Sequence, residues 1–114
     1  KKDSNSEGGG SAPTVDFTID LNNPDYSKLN TNGEFIRSNG VIIARTMSGD
    51  LIAVSQSCTH EGETVTYLSS SNSFVCPAHG ARFSSNGAVT QGPARTALKQ
   101  YTVTVNNNIV SVKG

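Results

Sequence analysis

From residue 15 onward the apolar positions of this chain recur at every second residue. In DFTIDL (16–21), Phe17, Ile19 and Leu21 alternate with Asp16, Thr18 and Asp20, the pattern of a strand with one buried and one wet face. VIIART (41–46) and LIAVSQ (51–56) are β-rich runs separated by the turn signal MSGD, which predicts a hairpin. TVTYL (64–68) and SFVC (73–76) flank a Ser/Asn loop and predict a second hairpin. YTVTV (101–105) and IVSV (109–112), joined by NNN, predict a third. Asn-Gly pairs at 32–33, 39–40 and 86–87 supply the positive φ values that tight turns require. No stretch shows a capped 3.6-residue repeat. The expectation is an all-β chain of seven or more short strands, an antiparallel β-sandwich or partly closed barrel.

Residues 1–14 depart from this pattern. KKDSNSEGGGSAP (1–13) is polar, rich in Gly and Ser and poor in apolar residues, as a flexible tether is. The expected organisation is therefore a tether over 1–14 and one domain over 15–114, a length that buries a modest core without staples. The chain begins at Lys1 rather than Met. A tether of this kind follows the lipid-bearing Cys of bacterial lipoproteins, so we expect a removed upstream anchor and a place on the periplasmic side of the cell envelope.

Nine basic and nine acidic residues give zero formal charge, which speaks against nucleic acid or an anionic surface as partner. No apolar run reaches the ~18 residues of a membrane span. All nine carboxylates lie in residues 1–63, with five basic residues, while 64–114 holds only Arg82, Arg95, Lys99 and Lys113. The halves carry −4 and +4, an asymmetry that an interleaved sheet protein disperses over its surface.

The chain has two cysteines and two histidines, and all four fall in two short stretches: CTH at 58–60 and CPAH at 76–79. Both are expected at loop tips, joined by the 64–76 hairpin, where a rigid sheet holds their bases while the loops converge. Three chemistries fit the residue types. A Cys58–Cys76 disulfide would leave both histidines unexplained. Structural zinc accepts two Cys and two His, but its modules pair like with like on short knuckles. A binuclear iron cluster of mixed ligation needs two thiolates on one iron and two imidazoles on the other, and each loop here supplies one of each.

CTHEG and CPAHGARFSSNGAVTQGPA resemble the Rieske iron–sulfur family: C-x-H, fifteen intervening residues, then C-x-x-H. The resemblance extends over nearly all of 15–114 and includes Gly80, Gly87, Gly92-Pro93-Ala94 and the closing YTVTVNNNIVSV. It implies a small cluster-binding subdomain within about 57–94, carried on an antiparallel base. It further implies a Rieske-type [2Fe–2S] cluster with Cys58 and Cys76 on the inner iron and His60 and His79 on the outer one. Pro93 would lie in a loop covering the cluster. With two neutral imidazoles in place of two thiolates the centre is less negative than an all-Cys cluster, and its potential belongs in the range of about −150 to +300 mV.

Such a centre has no open coordination position, so the function implied is one-electron transfer to or from a redox protein partner, as a carrier or as a small subunit of an oxidoreductase, rather than catalysis by this chain. The competing reading is a zinc- or disulfide-stapled β-sandwich used for binding. Respiratory members of the family carry an additional Cys in each loop, where this chain has Glu63 and Ala78. They also carry Ser and Tyr hydroxyl donors where it has Ala81 and Phe83, and an apolar residue where it has Glu61. These departures point away from quinol oxidation and toward Rieske-type ferredoxins, with a potential in the lower part of the range, roughly −150 to +100 mV.

Overall fold

The computed structural model describes residues 12–59 and 62–114. Its strands, in chain order, are β1 (Asp16–Asp20), β2 (Phe35–Ser38), β3 (Val41–Arg45), β4 (Leu51–Ser55), β5 (Thr66–Leu68), β6 (Ser73–Val75), β7 (Arg82–Ser84), β8 (Val89–Gln91), β9 (Thr102–Asn106) and β10 (Ile109–Lys113). They form three antiparallel sheets in the orders β1-β10-β9, β2-β3-β4 and β5-β6-β7-β8. The all-β, antiparallel expectation holds, and none of the sheets closes into a barrel.

Three strands, β2, β7 and β8, lie outside the runs that the sequence predicts. β2 ends in the Asn39-Gly40 turn, where Ser38 pairs with Val41 and both turn residues have positive φ, 55° and 82°. That is the two-residue hairpin geometry whose twist matches the flanking strands. β7 and β8 have three residues each, too few to show a period, and a register shift between Arg82 and Phe83 breaks what pattern there is. Pro24–Asn30 forms a 3₁₀ helix that the sequence pattern left unassigned. The Asn23 side chain caps it by accepting from the Asp25 N–H at 2.9 Å, and proline opens it where no N–H is needed. A 3₁₀ segment has no 3.6-residue repeat to detect.

β3 explains how the sheets stack. Its first four residues are all fully buried, an uninterrupted apolar run of the kind that marks a strand covered on both faces. Val41 and Ile43 pack with Ile19, Leu29, Tyr101, Val110 and Val112. Ile42 and Ala44 pack on the other side with Val65, Phe74 and Phe83. The central sheet thus separates a base core, closed by β1, β9 and β10, from a second core beneath the short-stranded sheet. At about 1.5–3 kcal/mol for each large side chain fully buried, the two cores hold that sheet from both sides. β4 also bonds forward to the segment before β9: Ser55 N–H donates to the Lys99 carbonyl at 2.9 Å, and Tyr101 N–H to that of Ala53 at 3.0 Å. Among the described residues no helix is long and apolar enough to cross a membrane.

Candidate metal centre

Cys58 follows β4, and Cys76 follows β6, so the β5–β6 hairpin separates them as expected. An isolated bridge between Ser57 and Thr64 closes the first loop at its base. In each loop the same two backbone bonds recur. Cys58 N–H donates to the Glu63 carbonyl and Gly62 N–H to the Cys58 carbonyl, both at 2.7 Å. Cys76 N–H donates to the Ala81 carbonyl and Gly80 N–H to the Cys76 carbonyl, both at 2.8 Å. The two loops are thus one motif built twice: a cysteine, three residues, a glycine of positive φ, and a return to the sheet.

The cysteines are not at exposed tips. Cys58 and Cys76 are 0% and 1% exposed, and both belong to the apolar cluster that contains Ala81, Phe83, Ala94 and Leu98. They are not joined in a disulfide. Pro77, Ala78 and His79 lie at the surface, so within the second loop the sulfur donor is inner and the imidazole outer. His60 and Glu61 lie outside the described residues. Among the described residues no three His, Cys, Asp or Glu side chains gather around a point that would hold a single ion. A binuclear cluster makes a different demand, two protein ligands per iron, with sulfides completing each coordination sphere. Two buried thiols with an exposed imidazole on the same loop fit that donor set.

Other contacts fix the loops. Arg37 crosses from β2 and donates from Nη2 to the Val65 carbonyl at 2.8 Å, with its guanidinium 5.3 Å from the centre of the Phe35 ring. The Thr59 hydroxyl donates to the Thr96 carbonyl at 2.5 Å, and Gln91 Nε2 to the Gly80 carbonyl at 3.0 Å. Thr59 and Gln91 were not singled out by sequence: each bonds a backbone carbonyl, an acceptor that every residue offers. Pro93 is exposed in the segment after β8, between Gln91 and the buried Ala94. Ala81 and Phe83, both 0% exposed, present methyl and phenyl groups in this region where a Ser and a Tyr would present hydroxyls.

The arrangement is that of a domain with two cysteine-bearing loops raised on an antiparallel base. The family model of the Rieske [2Fe-2S] domain matches residues 16–102, and the chain belongs to that family, whose cofactor is a Rieske-type [2Fe–2S] cluster. Among curated proteins it is similar to the cytochrome b6-f complex iron-sulfur subunit of Chlorobaculum thiosulfatiphilum, 34% identical over 71 residues, which is 62% of this chain and 39% of that protein. The chain therefore spans well under half the length of that relative. Among solved structures it is similar to a cyanobacterial plasma membrane Rieske protein from Synechocystis PCC 6803, with a TM-score of 0.61 and 35% identity over 70% of this chain and 84% of that one. The ferredoxin of carbazole 1,9a-dioxygenase from Nocardioides aromaticivorans IC177 shares the fold, with a TM-score of 0.62 and 24% identity over 73% of this chain and 86% of that one.

Proposed function

We propose that this chain passes single electrons between redox partners through a [2Fe–2S] cluster whose inner iron is held by Cys58 and Cys76 and whose outer iron is held by His60 and His79. The observation that carries the reading is the radial order of donors on two loops of one design: thiols in an apolar core, and an imidazole at the surface of the second loop. When bound, the cluster supplies a one-electron acceptor at moderate potential. The chain's own residues do the rest. The apolar walls around Cys58 and Cys76 exclude water, and the matched turns hold the thiols. His79 stands where an electron can leave toward a docked protein.

Residues 15–114 form the electron-transfer domain in this reading, and 1–14 a tether. Membrane-associated relatives support a place at a membrane, and the polar, Gly/Ser-rich tether composition supports anchoring on the periplasmic side of a bacterial cell envelope. The partners are redox proteins. Ala81 and Phe83 in place of hydroxyl donors favour exchange with a protein over quinol oxidation. Reductive titration of the purified chain tests the reading: one electron per chain should bleach the visible absorption reversibly. A colourless chain holding zinc, with no electron uptake, contradicts it and returns the chain to a stapled binding module.

A further inference from the structure

Segment 91–98, between β8 and the strand that returns to the base, touches both cysteine loops. At its start the Gln91 amide donates to the Gly80 carbonyl of the second loop at 3.0 Å. In its middle the Thr96 carbonyl accepts from the Thr59 hydroxyl of the first loop at 2.5 Å. At its end Leu98 N–H donates to the Gly87 carbonyl at 2.8 Å. Between these bonds Ala94 and Leu98, 3% and 2% exposed, are sunk into the same apolar cluster as Cys58 and Cys76. The approach at Gly87 is close: a Cβ there would lie 2.5 Å from the Leu98 carbonyl oxygen, nearer than side-chain carbons come to oxygen, so only glycine lets the strap lie this low.

Each side-chain bond ties the strap to a loop residue adjacent to a candidate ligand: Gln91 donates to the carbonyl of Gly80, and Thr59 donates to the Thr96 carbonyl of the strap. Gly80 follows His79, and Thr59 lies between Cys58 and His60. We propose that 91–98 is a strap that couples the two loops, with Gln91 and Thr59 as positioning residues that fix where each loop presents its ligands. The proposal rests on the reading that these loops hold the cluster. A strap fixed to both loops makes their positions interdependent, because a shift of one loop is carried through a single packed segment to the other.

The experiment is a double-mutant cycle on the cluster-loaded protein, with Thr59→Val, Gln91→Met and the pair. Two quantities are read: the half-life of the visible absorption in an iron chelator, and the electron paramagnetic resonance line shape after reduction. Each single change removes one exposed hydrogen bond and should shorten the half-life about two- to tenfold. Coupling through the strap predicts that the pair departs from the product of the two single effects. An effect equal to that product, or no effect in any of the three, would mean independent surface bonds and overturn the proposal. Thr59→Ser and Gln91→Lys, which retain donors of similar reach, should restore the half-life and line shape, and failure of both to do so would also overturn it. Cys58→Ser separates this from the underlying reading: if that variant keeps the wild-type signal, the ligand assignment fails, whereas its loss of signal alongside a multiplicative cycle rejects the strap alone.

Discussion

Gly62 and Gly80 occupy the same place in two loops of different sequence: each has φ of 76° and each donates its N–H to the carbonyl of the cysteine four residues earlier. The need at both is conformational rather than steric, since among the described residues a Cβ at Gly62 would meet nothing within 4 Å and one at Gly80 only the Gln91 amide at 3.8 Å. Placing an L side chain in this backbone region costs about 1–2 kcal/mol. Gly62→Ala and Gly80→Ala should therefore each lower unfolding stability by about that amount, and Asn at either position should cost less, as Asn39, Asn72, Asn107 and Asn108 already adopt positive φ in this chain. Gly87→Ala should cost more than either, because strain adds to the collision with the Leu98 carbonyl. Urea unfolding of the variants checks the order, and a Gly87→Ala change as mild as the other two would contradict it.

Ala81 carries a second prediction. Its carbonyl accepts from the Cys76 N–H at 2.8 Å, and both residues are buried in the same apolar cluster. A hydrogen bond to a cluster-bound sulfur strengthens as the sulfur becomes more negative and so favours the reduced state. Ala81→Ser should raise the midpoint potential by several tens of millivolts, since about 59 mV corresponds to roughly 1.4 kcal/mol for one electron. Phe83→Tyr should act in the same direction. Protein-film voltammetry at fixed pH measures both; an intact cluster with an unchanged or lowered potential in Ala81→Ser would show that the hydroxyl does not reach the sulfur.

Tyr101 anchors the entry of the chain into the base. Its hydroxyl donates to the Pro13 carbonyl at 2.6 Å, and burial pushes its phenol up to about 12 from the usual 10. The folded state holds this proton more tightly than the unfolded one, so the contribution is complete below pH 10 and is lost as pH rises through about 12. Tyr101→Phe should reduce stability near neutral pH by about 1 kcal/mol for the lost bond and flatten the alkaline decline. Burial raises Tyr67 as well, which leaves a residual slope. Urea midpoints from pH 8 to 12 check this, and an equal alkaline slope in the two proteins would contradict it.

Much of this was legible before any coordinates. Alternation located β1 and the β9–β10 hairpin because one face of each meets a core, the β3–β4 hairpin showed as two β-rich runs around a turn signal, and the four candidate ligands stood out because the chain has no other Cys or His. What the pattern missed has local causes. The Pro24–Asn30 helix is held by an Asn23 cap rather than by periodicity, and β7 and β8 are too short to show alternation. The depth of the cysteines was hidden as well: Cys76 was expected at a strand end and loop tip, but it is sealed beneath residues contributed by the distant 94–98 segment. Thr59 and Gln91 act on carbonyls, which leave no trace in a residue pattern.

The central claim is that all four Cys and His side chains bind one cluster, two to each iron. Because His60 and His79 are the only histidines in the chain, labelling with ¹⁵N-histidine isolates them without mutation. Pulsed electron–nuclear double resonance on the reduced, labelled protein should show two strongly coupled histidine nitrogens, and chemical analysis should find equal amounts of iron and acid-labile sulfide at about two of each per chain. One coupled nitrogen, or none, in a protein with that iron and sulfide content would contradict the assignment of the outer iron to His60 and His79.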